Sequence, residues 1–190
     1  MKAIRSGGLL VLAMVCVQAA VLRAAAEDKA EKQKDINKMA QATLQQLYKA
    51  QPIAKPAVAK AYGYAVFSNT GVKILLAGSG NGQGVAVNNH TKHETYMKML
   101  QVQAGLGVGV TKFRVVFVFD TEPAFNGFVN SGWEFGGQST AAAKTGEKGG
   151  AMAGAASVAE GVWMYQLTEK GLALDISATG TKYYKDDDLN

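Results

Sequence analysis

The two histidines of the chain lie close enough together to be considered first as metal ligands. His90 and His93 are three residues apart, and Glu94 follows as a possible third ligand. One histidine pair without a cysteine is weak evidence for zinc, which favours a tetrahedral set of nitrogen, sulfur or carboxylate ligands. The stretch 88–92 is polar and indicates a loop. We therefore predict solvated loop histidines and no metal site.

Carboxylates that could work as an acid–base pair are scattered along the chain. Glycoside hydrolysis needs two carboxyl groups at a defined separation. Nothing in the sequence brings together the four candidates, Glu122, Glu134, Glu160 and Asp175. No serine stands in a nucleophile-elbow context. The three aspartates at 186–188 lack an EF-hand pattern and indicate a solvated tail. We predict no catalytic residue and a protein that is not an enzyme.

Two glycine-rich stretches raise the question of nucleotide binding. Neither 78–84 nor 105–109 has the dinucleotide-binding spacing followed by a helix, and the phosphate-loop pattern is absent. Both stretches connect or form predicted strands, so the helix N-terminus that binds a phosphate is missing. Gly105, Gly107 and Gly109 alternate on one face of a predicted strand, which indicates that a helix, a sharply curved barrel wall or a ligand packs closely there, with a helix favoured. We predict no nucleotide and no cofactor.

The N-terminus has the order of a secretory signal peptide. Lys2 and Arg5 precede an apolar run at 7–22, and the small residues 24–26 precede a polar stretch. This order predicts a signal peptide over 1–26 with cleavage between Ala26 and Glu27, and a periplasmic or secreted protein. An uncleaved anchor is the alternative. The residues before Cys16 fit a lipoprotein signal poorly.

The charge balance argues against a general nucleic-acid binder. The whole chain carries 20 basic and 15 acidic residues. Three of the basic residues, Lys2, Arg5 and Arg23, lie in the predicted signal peptide, which contains no acid. The remaining excess is small, and no broad basic surface is implied. A mature chain without Cys16 would also contain no disulfide.

Residues 27–61 are predicted to form a helical segment. Apolar residues recur at spacings of three and four and form one helix face. They are Ile36, Met39, Ala40, Thr43, Leu44, Leu47 and Tyr48. Asp35 is a candidate cap for this part of the helix. Pro52 is expected to end it, and Pro56 to open a short second helix.

Residues 62–190 are predicted to form a β-rich domain that makes one globular unit with 27–61. The period changes to two after Tyr62, with a turn predicted at 69–71 and a hairpin loop at 78–84. One long strand is predicted over 94–110, and a short helix after Thr121 and Pro123. The fold class is therefore α+β: a mainly antiparallel, barrel-like sheet with an N-terminal amphipathic helix and one inserted helix.

The order of these segments resembles the lipid-binding SYLF family. The segments that carry the resemblance are 62–67, 82–85, 105–109, 115–119, 165–174 and the pair Tyr183 and Tyr184. The resemblance spans about 36–190, although Ser68 stands where the family often has proline. It implies a non-enzymatic domain that binds acidic membrane lipids through a basic, amphipathic N-terminal segment. Eukaryotic members are known as actin regulators, a role that is not expected of an exported bacterial-type member.

Two functions are compatible with these features. The first is binding to an anionic lipid or membrane surface, because lysines on the polar face of an amphipathic helix are attracted to anionic headgroups. Lys34, Lys38 and Lys49 are the candidate headgroup contacts. The alternative is an interaction or structural module of the cell envelope, in which Trp133 or Trp163 docks on a protein partner.

Overall fold

In the described residues the fold consists of three helices and one antiparallel sheet. A computed structural model describes residues 7–74, 77–104, 109–135, 153–168, 171–173 and 180–190. The helices are α1 (Gly7–Ala50), α2 (Ala54–Lys60) and α3 (Glu122–Ser131). The strands within these ranges are β1 (Gly63–Ile74), β2 (Ala77–Asn88), β3 (Glu94–Ala104), β4 (Gly109–Phe119), β5 (Trp133–Phe135), β6 (Ala156–Ala159), β7 (Val162–Thr168), β8 (Gly171–Ala173) and β9 (Thr181–Lys185).

The strands form a single curled sheet in the order β5-β9-β3-β2-β1-β4-β7-β6, with β8 paired to β7. All of these pairs are antiparallel. The predicted class, an α+β fold with a barrel-like antiparallel sheet, is confirmed. The sequence pattern did not indicate β9, which closes one side of the sheet by pairing with both β3 and β5.

Alternation along the strands gives the sheet two buried faces. The inner face packs on α3 and is aromatic, with Phe67, Phe117 and Phe119 buried against Phe125 and Phe128. The outer face carries α1 and α2 over a second, aliphatic cluster. Its fully buried strand residues include Val66, Val85, Val116, Val118 and Tyr165. The central strands are therefore covered on both sides at these positions.

Helix α1 packs on the outer face through the stripe that its sequence predicts. Ile36, Ala40, Thr43 and Leu47 are buried. The helix ends at Ala50, before Pro52, as predicted. The predicted cap at Asp35 is wrong, because α1 runs without interruption from Gly7 through this position. The residues just before Asp35 include alanine, glutamate, lysine and glutamine, which propagate a helix rather than start one.

The predicted turn at 69–71 and loop at 78–84 are also wrong. Both stretches lie inside β1 and β2, which pair continuously from Gly63↔Asn88 to Ile74↔Ala77. The residues that favour turns, such as Asn69 and Gly82, instead contribute to packing within the sheet. The Asn69 side chain is buried and donates from Nδ2 to Oε1 of Gln101 at 2.7 Å. A methyl group at Gly82 would lie 2.6 Å from the Ser68 carbonyl oxygen, so the glycine allows close approach of the strands.

The predicted single strand over 94–110 is two strands. β3 ends at Ala104 and β4 begins at Gly109, and the β1–β2 hairpin lies between them in the sheet. Gly105 and Gly107, on which the close-packing prediction rested, lie outside the described residues. The inserted helix is confirmed as α3, where the Thr121 hydroxyl accepts a hydrogen bond from the Ala124 amide at 3.4 Å.

Candidate functional site

The three candidate lysines lie on the solvent side of α1. Lys34, Lys38 and Lys49 are exposed, and no ion pair among the described residues involves them. At about 100° per residue, Lys34 and Lys38 point almost directly away from the buried stripe, and Lys49 points close to Lys38. The structure thus brings the three cations onto one exposed face. Their contact with lipid stays a prediction.

The apolar side of α1 is occupied by the sheet. Ile36 and Leu47 are almost completely buried there. The helix is also held by a polar contact at its edge, where Asn37 Nδ2 donates to Glu94 Oε2 at 2.8 Å and to the Tyr96 hydroxyl at 3.0 Å. Burial raises the pKa of Tyr96 to about 12, and the Tyr96 hydroxyl donates a hydrogen bond to Glu94 Oε2 at 2.7 Å. The basic face is therefore the part of the described helix that is open to a ligand.

The C-terminal residues fasten the start of this docked helix. Gln33 Nε2 donates to the Leu189 carbonyl oxygen and Lys29 Nζ to that of Asn190, both at 2.8 Å. The Asn190 side chain accepts from the Tyr96 amide and donates to the Tyr96 carbonyl oxygen. Hydrogen bonds between residues more than 150 positions apart in sequence therefore fix where α1 begins to cover the sheet.

The aspartates at 186–188 do not form the solvated tail that the sequence predicts. Asp186 is only 4% exposed, and its Oδ1 lies 2.8 Å from Lys98 Nζ. Asp188, which is well exposed, lies 3.1 Å from the same nitrogen. The hydrogen bond that Lys98 donates to the Asp186 carboxylate is the main cause that raises the pKa of Lys98. The run of acids therefore includes one buried, paired carboxylate.

Replacing Lys98 with methionine should lower the free energy of unfolding by about 2 kcal/mol. The change leaves the buried Asp186 carboxylate without its cation, and removing one partner of a buried pair costs about 3–5 kcal/mol. Lys98 is 37% exposed, so water screens part of that cost. Urea denaturation measures the loss. The control is Asp188→Asn, because the Asp188 side chain is 88% exposed and should contribute less than about 0.5 kcal/mol. Equal losses in both variants would contradict this assignment.

A groove of about 510 Å³ runs between α1 and the uncovered part of the outer face. Asp35, Ile36 and Met39 form its helix wall, and Lys98 and Tyr184 line the sheet side. Its floor is polar, with Ser68, Thr70, Asn81 and Gln83. The volume suits a small ligand. Acids and a paired lysine both line it, so its charge is mixed.

A second hollow of about 170 Å³ continues along α1 and shares Ser68 and Thr70 with the first. Lys112 and Arg114 line it from β4. Arg114 Nη1 donates to Gln46 Oε1 on α1 at 2.9 Å. The sequence interpretation missed these residues. Their alternation with Phe113 and Val115 gave a signal, but only strand pairing places them beside Ser68 and Thr70.

Among the described residues, the candidate histidines and acids do not form a metal site. Both histidines are exposed, and the His90 ring contacts that of Tyr62 with centroids 4.9 Å apart. Within the described residues, no three His, Cys, Asp or Glu side chains form a group that could hold a metal ion. Glu122 begins α3, Glu134 lies in β5, Glu160 lies in the turn before β7, and Asp175 falls outside the described residues.

Both tryptophans are half-buried in the domain's own clusters. Trp133 packs its ring against Phe117 and Phe128 on the inner face. Trp163 packs on the outer cluster, and its Nε1 donates to Asp120 Oδ2 at 2.8 Å. These contacts give both rings a structural role.

These features define an α+β domain with a docked amphipathic helix and a basic, solvent-facing surface. Residues 100–190 match the family model described as Ysc84: Las17-binding protein actin regulator. The chain therefore carries a domain of the Ysc84, or SYLF, family, as the order of its segments suggested. Domains of this family are generally non-catalytic.

A curated relative extends the similarity beyond the family match. Beta cell expansion factor A of Aeromonas veronii is 38% identical over 154 residues, which is 81% of this chain. The chain spans 57% of that relative's length. In the described part of the chain, no helix is both long and apolar enough to cross a bilayer.

Proposed function

We propose that this chain is an exported, non-catalytic domain that binds the surface of anionic membranes through the polar face of α1. The observation that carries the proposal is the exposed group of Lys34, Lys38 and Lys49, which lies opposite the buried stripe of the same helix. Family membership supports a domain of the lipid-binding or actin-regulator type. Export makes a lipid role the more consistent of the two, because an exported bacterial-type protein would not meet actin.

The docked helix limits how this binding can occur. The apolar stripe of α1 between Ile36 and Tyr48 is already packed on the sheet. Binding by the folded domain is therefore electrostatic, and each lysine close to an anionic surface contributes about 1 kcal/mol at low salt. Salt weakens such contacts because the Debye length falls to about 8 Å at physiological ionic strength.

Changing Lys34, Lys38 and Lys49 together to glutamine should weaken partition onto anionic vesicles about tenfold or more, with a larger loss at low salt. Flotation with phosphatidylcholine vesicles, with and without phosphatidylglycerol, measures the effect. The matched control changes Gln41 and Gln45, which are exposed on the same face but uncharged, to alanine. The proposal would be wrong if the wild type did not float with anionic vesicles at low salt. It would also be wrong if the triple glutamine variant floated as well as the wild type.

Export is part of the proposal, and the fold is compatible with cleavage at the predicted position. Cleavage after Ala26 would leave Lys29 and Gln33 in place, and these residues already hold the C-terminal segment. The mature helix would thus keep its described anchors. N-terminal sequencing of the protein from the periplasm or medium should begin at Glu27. Recovery of only the uncleaved chain in the cytosol would oppose this step.

One observation favours the alternative, docking to an envelope protein. Leu100, Val102 and Tyr184 are exposed side by side on the outer face of β3 and β9. Apolar side chains grouped on a surface are typical of protein contacts. A partner that is retained without lipid and lost in Val102→Ser would favour this alternative over lipid binding.

A further inference from the structure

The floor of the smaller hollow collects hydroxyls and cations from two paired strands. In the register of β1 and β4, Ser68 lies opposite Arg114 and Thr70 lies opposite Lys112. Directly opposed residues on one sheet face have Cβ atoms about 5 Å apart. Thr168 lines the hollow from the far side, on β7. Two positive groups and several hydroxyls therefore surround one small space.

The charge of this hollow is not compensated within the described residues. No carboxylate belongs to its lining, and neither Lys112 nor Arg114 takes part in an ion pair there. The bond that Arg114 makes to Gln46 goes to a neutral amide. Lys98, by contrast, is paired with two carboxylates. Lys112 and Arg114, which share the hollow, thus lack the acid partners that Lys98 has on the same sheet face.

We propose that this hollow, lined by Ser68, Thr70, Lys112 and Arg114, binds a tetrahedral oxyanion of the phosphate class. Arginine presents a planar fork of donors that matches phosphate oxygens, and lysine adds a mobile point charge. The hydroxyls supply further donors on the sheet side. The site needs no membrane and so goes beyond the proposed function.

The position of the hollow restricts the form of a lipid ligand. It lies on the sheet beside α1, and a helix with its side chains is about 10–12 Å thick. A flat bilayer resting on the lysine face of α1 would therefore stand about one helix diameter above the hollow. Only a phosphate that projects from its headgroup, or a soluble phosphate, reaches the site.

The test is a titration of the full domain with inorganic phosphate at constant ionic strength, followed by amide chemical shifts. We expect saturable shifts at residues 68, 70, 112 and 114. Lys112→Gln should weaken the affinity about tenfold, because it removes a charge-assisted hydrogen bond. Thr70→Val keeps the β-branched shape and removes one hydroxyl, and should weaken it by a smaller factor. Lys60→Gln, which removes an exposed cation from α2 before the start of β1, is the control.

Shifts that do not saturate, or that are equal in Lys112→Gln and the wild type, would overturn the site. Vesicle flotation then separates the two sources of phosphate. If inorganic phosphate releases the wild type from phosphatidylinositol phosphate vesicles but does not release the Lys112→Gln variant, the ligand of the hollow is a lipid headgroup. A Lys112→Gln variant with weaker phosphate binding but normal flotation supports a soluble ligand. Phosphate binding that persists in the triple lysine variant of α1 shows that the two sites are independent.

Discussion

Phe117→Ala is expected to lower the free energy of unfolding by about 4 kcal/mol, the largest effect of any single change considered for this protein. The Phe117 side chain is 0% exposed and lies at the centre of the inner cluster. Its ring centroid is 5.3 Å from that of Phe128 on α3 and 5.1 Å from that of Tyr183 on β9. Truncation leaves a cavity that side chains of α3 and β9 would have to fill.

Urea denaturation monitored by far-ultraviolet circular dichroism measures this loss. Val102→Ala is the control, because Val102 is 58% exposed on a strand of the same sheet and should change the stability by less than about 0.5 kcal/mol. A loss below about 1.5 kcal/mol in Phe117→Ala would mean that α3 does not depend on this ring for its place in the curled sheet.

The helices of this fold were predictable because their signals are local. The spacing of Ile36, Ala40 and Leu47 defines one face whatever the partner is, and burial of that face confirmed it. Thr121 carries its own capping partner three residues later. Interactions within a few residues depend on the backbone geometry of one element alone, so a sequence pattern can indicate them.

The strands were less predictable because tertiary packing, not local turn propensity, decides the conformation of their residues. Asn69 has turn chemistry, yet it is buried and bonded to Gln101 on a distant strand. Asn81 and Gly82 form a pair that favours a hairpin turn, yet both lie within β2. Strand propensity depends on neighbours across the sheet, and these neighbours are not known before the register is known.

The same distinction applies to the candidate site. The exposed face of α1 follows from helical periodicity, so Lys34 and Lys38 were placed correctly on it. The hollow with Lys112 and Arg114 depends on the pairing of β4 with β1, which no local pattern gives. Asp186 was misplaced for a similar reason, since its partner Lys98 is 88 residues earlier in the chain. A site that depends on strand register can be recognised only once the fold is known.

Gly84→Ala is expected to lower the free energy of unfolding by about 3 kcal/mol, although it adds a single methyl group. The new Cβ would meet the Val66 carbonyl oxygen and would lie 2.5 Å from Phe67 Cδ1. A backbone oxygen cannot move aside without disturbing the β1–β2 pairing, and Phe67 is fixed in the inner cluster. Thermal and urea unfolding measure the loss.

Gly127→Ala is the matched control, because it is expected to change the free energy of unfolding in the opposite direction. Gly127 is exposed on α3, and a methyl group there would meet nothing within 4 Å. Replacing an exposed helix glycine with alanine stabilises by up to about 1 kcal/mol. The two glycine changes should therefore act in opposite directions. If residues 78–84 formed a loop, as turn chemistry alone indicates, Gly84→Ala would cost little. A loss below about 1 kcal/mol would thus argue against the continuous β1–β2 pairing that positions Ser68 and Thr70 beneath α1.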